Sequence, residues 1–152
     1  MSFSYFPFLM KIDGKKLIFI GGGKVAERKV KSLKRMNPKI TVIAPEIADG
    51  IKELGVEVHE RNAEIIDLSG ADFAFICTND RKLNELMANE AKRLGIPVNI
   101  ADDPDFCDFH MPAVLLNETE GTLISVSTGG DDPSKAKKVR DRLANLLKKG
   151  ES

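Results

Sequence analysis

Apolar residues occur along this chain in short blocks of two kinds, and the alternation between them predicts the elements. Leu17-Ile18-Phe19-Ile20 is a continuous apolar run of strand length, ended by Gly21-Gly22-Gly23. A strand apolar on both faces suits a parallel sheet covered by helices. From Lys24 to Met36, Ala26, Val30 and Leu33 fall at helical spacing, with Arg28, Lys31, Lys34 and Arg35 largely off that stripe. The pattern predicts strand, glycine turn, helix.

The rhythm continues. Residues 39–43 form a second apolar strand that Pro45 should stop, 48–54 a short helix closed by Gly55, and 56–59 a third strand. Residues 73–77 are apolar throughout, as expected of a central strand. Leu83, Leu86, Met87, Ala91 and Leu94 form the next helical stripe, stopped by Gly95, and 97–100 are a fifth strand. Strands alternating with helices predict an α/β fold, a Rossmann-like and mostly parallel sheet. After residue 101 the rhythm changes. Residues 113–116 and 122–127 have no room for a helix between them and should pair as an antiparallel hairpin. A C-terminal amphipathic helix then runs from Pro133 to about Lys149, with Ala136, Val139, Leu143 and Leu147 on one stripe. Two regions are expected: 1–112, a dinucleotide-binding domain, and 113–152, hairpin plus helix. The second serves either as a surface for another subunit or as packing within the chain.

Composition narrows the classes. Lys plus Arg is 23 and Asp plus Glu is 23, so the formal net charge of the 152 residues is zero, which lacks the basic footprint of a nucleic-acid binder. No apolar run approaches the roughly 18 residues of a membrane span, and the opening segment does not read as a signal peptide. Two cysteines, Cys77 and Cys107, are too few for a disulfide framework. A cytoplasmic protein without membrane or nucleic-acid partners is expected.

The glycine turn carries the first chemistry. Gly21-Gly22-Gly23-Lys24-Val25-Ala26 follows the dinucleotide pattern Gly-x-Gly-x-x-Gly/Ala. Gly21 permits the turn, Gly23 lets backbone approach a pyrophosphate, and Ala26 allows close helix–strand packing. The helix N-terminus offers N–H groups to the phosphates. A glycine-rich turn with no ligand is the alternative, but a strand before and a helix after supply the confirming context. After the second strand Glu46 is the candidate for the ribose hydroxyls, and no Arg stands there for a 2′-phosphate, which favours NAD over NADP. Two polar clusters close later strands, Thr78-Asn79-Asp80 and Asn99 through Pro104. Asp102 or Asp103 there is either a general base or a turn residue before the proline. Cys107 and His110 have C-x-x-H spacing, but no second pair completes a tetrahedral site, so no metal centre is expected. Cys77 reads as core filler and His59 as a surface or satisfied residue; neither cysteine has an activating His.

Residues 21–29, Thr78-Asn79-Asp80 with Asn84, Asn99-x-x-Asp102-x-Pro104, Phe109-x-Met111-Pro112, and Ser127-Thr128-Gly129-Gly130 with Pro133 occur in one order over nearly the whole chain. Together with Phe6-Pro7-Phe8-Leu9 they resemble the siroheme-synthase N-terminal family, the precorrin-2 dehydrogenases. Members oxidise precorrin-2 to sirohydrochlorin with NAD, and some also insert Fe²⁺. The resemblance implies that Asp102 is the catalytic aspartate. It implies that Gly21, Gly22, Gly23, Lys24 and Val25, the loop at Pro45 and Glu46, and Thr78 with Asn79 meet the cofactor, and that the hairpin helps form a homodimer. Lys24, Arg28 and the basic C-terminal helix are candidates for a cationic wall facing a polycarboxylate macrocycle. Longer members continue into a helical region and some into a methyltransferase domain, neither found in these 152 residues. Thr128 stands where some members have Ser. Two other classes stay open: a nucleotide-sensing module without catalysis, and a chelatase that retains NAD as a relic.

Overall fold

The computed structural model describes residues 5–150, without the side chains of 148–150. It divides into two compact units. One spans Leu9–Phe109; the other joins His110 onward with residues 5–8.

The larger unit is a five-stranded parallel sheet in the order β3-β2-β1-β4-β5, formed by β1 (Lys16–Gly22), β2 (Lys39–Ile47), β3 (Glu57–Glu60), β4 (Phe73–Ile76) and β5 (Val98–Ile100). Helix α1 (Lys24–Lys34) links β1 to β2, the short α2 (Asp49–Lys52) precedes β3, and α3 (Arg81–Arg93) links β4 to β5. Alternation along the strands divides the core. Ile18, Ile20, Ala74, Ile76, Val98 and Ile100 pack with Met87, Ala88 and Ala91 of α3. The intervening side chains Phe19 and Phe75, register partners on β1 and β4, stack with centroids 4.4 Å apart, and Phe109 meets Phe75 edge-on. On that same side Lys29 of α1 donates from Nζ to Asn99 Oδ1.

Several boundaries depart from the sequence expectation. Pro45 does not stop the second strand. The β1–β2 register slips between Ile20 and Gly22, so that Ile20 pairs with Ile43 and Gly22 with Ile47. Pro45 and Glu46 lie in that irregularity and are exposed. A proline lacks an N–H, and a bulge is where a ladder needs none. Helix α3 starts at Arg81, earlier than its apolar stripe, because Asp80 caps it by accepting from Lys82 N at 3.0 Å and Leu83 N at 3.1 Å. Its buried face is Asn84, Met87, Ala88 and Ala91, while Leu86 and Leu94 are exposed. A 3₁₀ turn at Ile65–Leu68 was not marked by the pattern. Arg61 holds it by pairing with Asp67 at 2.6 Å, and the guanidinium keeps that carboxyl below the usual range.

In the smaller unit, β6 (Ala113–Asn117) and β7 (Thr122–Val126) pair antiparallel, and α4 (Pro133–Gly150) packs on both, with Ala136 buried. Asp132 accepts from Lys135 N at 2.9 Å, capping α4 just before its Pro133. The Tyr5 ring meets the His110 ring edge-on at 4.9 Å. Among the described residues no helix is long and apolar enough to cross a membrane.

The strand order fixes where a ligand can approach. The chain moves outward from β1 to β2 and β3, then returns to place β4 on the other side of β1. Such a reversal opens a crevice beyond the carboxyl ends of the two central strands. At that point Gly21 has φ +111°, and a Cβ there would fall on the Cys77 carbonyl group, 2.6 Å from its carbon. Gly21→Ala should therefore destabilise the fold by at least about 2 kcal/mol, read as a lowered midpoint in urea unfolding; an unchanged midpoint would mean that the turn relaxes at no cost.

Candidate functional site

The three glycines of the first turn differ in what requires them. Gly21 is pressed against β4, and a Cβ on Gly22 would lie 2.7 Å from Glu46 O and 2.9 Å from Ile47 Cα, so both are demanded by neighbouring backbone. Gly23 is exposed, and a Cβ there would meet no atom of the described residues within 4 Å. It is the N-cap of α1, with φ −84° and no side-chain cap. Neither packing nor backbone conformation explains a glycine there. Lys24 and Val25, the first residues of α1, are also exposed.

Two further loops close strands at the same edge of the sheet. After β4, Thr78 N and Thr78 Oγ1 donate to Asn84 Oδ1, at 3.3 and 2.5 Å. Asn84 Nδ2 returns a bond to Thr78 O at 3.0 Å and gives another to Asp102 Oδ2, also at 3.0 Å, after β5. Asn84 is completely buried in α3, so one buried amide joins the ends of β4 and β5. Asp102 itself is exposed. Its neighbour Asp103 has a different task. That carboxylate accepts from Phe106 N at 3.2 Å and caps the 3₁₀ turn Pro104–Phe106, the turn role that the sequence left open for both acids.

The predicted site residues thus fall into groups. Gly21, Gly22, Gly23, Lys24 and Val25 form the β1–α1 turn; Pro45 and Glu46 lie in the β2 bulge against Gly22; Thr78 and Asn79 follow β4; Asp102 follows β5. Asp80, read in the sequence with Thr78 and Asn79, is the cap of α3. Asn84 stood in the family signature without a role. The local sign of one was a polar residue within an apolar helical face.

Burial pushes the Cys77 thiol up, and burial likewise raises Cys107, whose Sγ donates to Ile100 O at 3.2 Å. Among the described residues no three His, Cys, Asp or Glu side chains gather as a metal site. His59 Nε2 lies 2.8 Å from Glu57 Oε1 on β3.

Against known proteins, the sequence matches a family described as putative NAD(P)-binding over residues 8–113. It is 33% identical over 148 residues to a siroheme synthase of Nitrosomonas europaea and 36% identical over 147 residues to one of Methylococcus capsulatus. Each alignment covers 94% of this chain but 31% of the relative, so the chain spans about a third of the length of these enzymes. Among solved structures, a precorrin-2 dehydrogenase, SirC, superposes with a TM-score of 0.78 at 23% identity, over 93% of this chain and 71% of that one. The apo D-lactate dehydrogenase of Escherichia coli superposes with a TM-score of 0.51, over 65% of this chain and 32% of that one. These likenesses show the fold.

Proposed function

We propose that this chain, which belongs to the putative NAD(P)-binding family, is an NAD-dependent dehydrogenase that oxidises precorrin-2 to sirohydrochlorin. The observation that carries the reading is the pair at the carboxyl edge of the sheet. One half is an exposed glycine at a helix N-terminus that neither its backbone conformation nor any contact among the described residues requires; the other is a carboxylate tethered at the end of β5. The siroheme synthases that align along this chain, and the precorrin-2 dehydrogenase that shares its fold, supply the substrate class.

The β1–α1 turn fits a dinucleotide. An absent Cβ at Gly23 leaves backbone open to a pyrophosphate, and the first N–H groups of α1 favour its charge. Glu46 would meet the ribose hydroxyls, and Thr78 and Asn79 would border the nicotinamide end. When bound, the nicotinamide supplies the hydride acceptor. This chain's own part is to hold the macrocycle and take the proton lost with the hydride. Asp102 is placed to accept it, since a carboxylate at a strand end is a suitable base. Lys24 and Arg28 on the exposed side of α1 offer cations to the substrate's carboxylates.

Glu46 supports NAD as the cofactor, because a carboxylate repels a 2′-phosphate and accepts from ribose hydroxyls. Glu46→Gln should narrow the preference for NAD⁺ over NADP⁺ by about tenfold, a change of about 1.4 kcal/mol, in parallel binding titrations. An unchanged ratio would remove Glu46 from the ribose site.

The hairpin unit supports a homodimer. A two-stranded sheet is marginal alone, and Leu123, Leu146 and Leu147 are exposed on β7 and α4. Sedimentation should give twice the chain mass, and Leu123→Lys should shift it toward the monomer; a monomeric wild type would refute the dimer.

Precorrin-2 and NAD⁺ incubated with the protein should develop the visible spectrum of sirohydrochlorin. Binding of NAD⁺ without that change would leave a nucleotide-sensing module. Metal insertion from sirohydrochlorin and Fe²⁺ without NAD⁺, and no oxidation, would make the protein a chelatase instead.

A further inference from the structure

The Asn84 amide uses all its hydrogen-bonding faces, and its direction is fixed. Oδ1 faces Thr78 N and Thr78 Oγ1; Nδ2 faces Thr78 O and Asp102 Oδ2. Rotating the amide by half a turn would set N–H against N–H at Thr78 and a carbonyl oxygen against the carboxylate. The Thr78 peptide therefore dictates that an N–H points at Asp102. An apolar residue would pack more simply in this completely buried position of α3, so the amide carries a cost that its four bonds must offset.

We infer that Asn84 is a positioning residue of the proposed dehydrogenase: it holds Asp102 by Oδ2, leaves Oδ1 to take the substrate's proton, and ties the carboxylate to the Thr78 loop. The inference rests on the function proposed above and deepens it. Asp102 is an exposed residue in a loop, and an unrestrained carboxylate would sample several rotamers. A bond from a buried amide selects one of them. Because the same amide grips the Thr78 backbone, the base and the loop bordering the nicotinamide share one reference point. Small errors in such alignment are costly to rate.

Asn84→Asp is the informative variant. It preserves volume and the acceptor toward Thr78 N and Oγ1, removes the N–H groups that reach Asp102 and Thr78 O, and sets carboxylate beside carboxylate. Asn84→Ser shortens the side chain without adding charge. Both should lower kcat for precorrin-2 oxidation at least about tenfold, with KM and NAD⁺ affinity within about threefold, a split that general loosening of the fold would not produce. In an Asp102→Asn background each should lower the residual rate far less than it lowers the native rate, because the route through Asp102 is already gone. An unchanged kcat, a multiplicative loss in the Asp102→Asn background, or loss of the fold in both variants would overturn the inference and make Asn84 a structural residue. Wild-type turnover by Asp102→Asn alone would remove the base, and with it both the proposed mechanism and this inference. That result is distinct from a failure confined to Asn84.

Discussion

Asp102→Asn is expected to bind NAD⁺ as the native protein does and to oxidise precorrin-2 about 10²–10⁴ times more slowly, the usual span for loss of a positioned base. The two halves of that expectation come from separate features. Asp102 follows β5 and contacts the buried Asn84, whereas the glycine turn proposed to bind NAD⁺ is built from β1 and α1. The substitution replaces a carboxylate by an amide of nearly equal size, and the surrounding turn is held by other bonds, including Asp103 to Phe106 N. Unfolding should therefore be little changed. Equilibrium titration with NAD⁺ and a single-turnover spectrum on the same preparation separate binding from chemistry. Turnover near the native rate would show that another group takes the proton.

The second large effect should come from Gly23→Asp. A Cβ at this position meets no atom of the described residues within 4 Å, and the residue is the N-cap of α1, where Asp is a favoured residue. The variant should keep or raise its Tm. It should nonetheless lose NAD⁺ affinity at least about 100-fold, or about 2.8 kcal/mol, because both bulk and negative charge enter the space assigned to the pyrophosphate. Stability and binding thus move in different directions. Gly21→Ala makes the contrasting case: there the clash is with the protein's own Cys77 carbonyl, and the fold itself should weaken. Native NAD⁺ affinity in Gly23→Asp would exclude the β1–α1 turn as the phosphate site.

The sequence carried much of this architecture, for a physical reason. Buried parallel strands must be apolar on both faces, so Leu17–Ile20 and Phe73–Ile76 stand out without any partner being known. What it hid were features that depend on the partner strand or on a single polar contact. Pro45 read as a stop because local rules forbid it in a ladder; only the Gly22–Ile47 pairing reveals that β2 resumes beyond it. Leu86 and Leu94 looked like core because the helical stripe admits them, yet the buried face of α3 is rotated onto Asn84 and Ala88. Asp102 and Asp103 are adjacent identical residues that the fold assigns to different tasks, one bonded to α3 and one to its own turn. Their positions after β5 were legible; which of them faced Asn84 was not.

The stoichiometry of a single turnover tests the central claim most directly. Limiting precorrin-2 is mixed with the protein and excess NAD⁺, and NADH and sirohydrochlorin are measured in the same sample. One NADH for each sirohydrochlorin, formed far more slowly in Asp102→Asn and in Gly23→Asp, is the predicted result. Sirohydrochlorin formed without NADH, or NAD⁺ bound while precorrin-2 stays unoxidised, would contradict it.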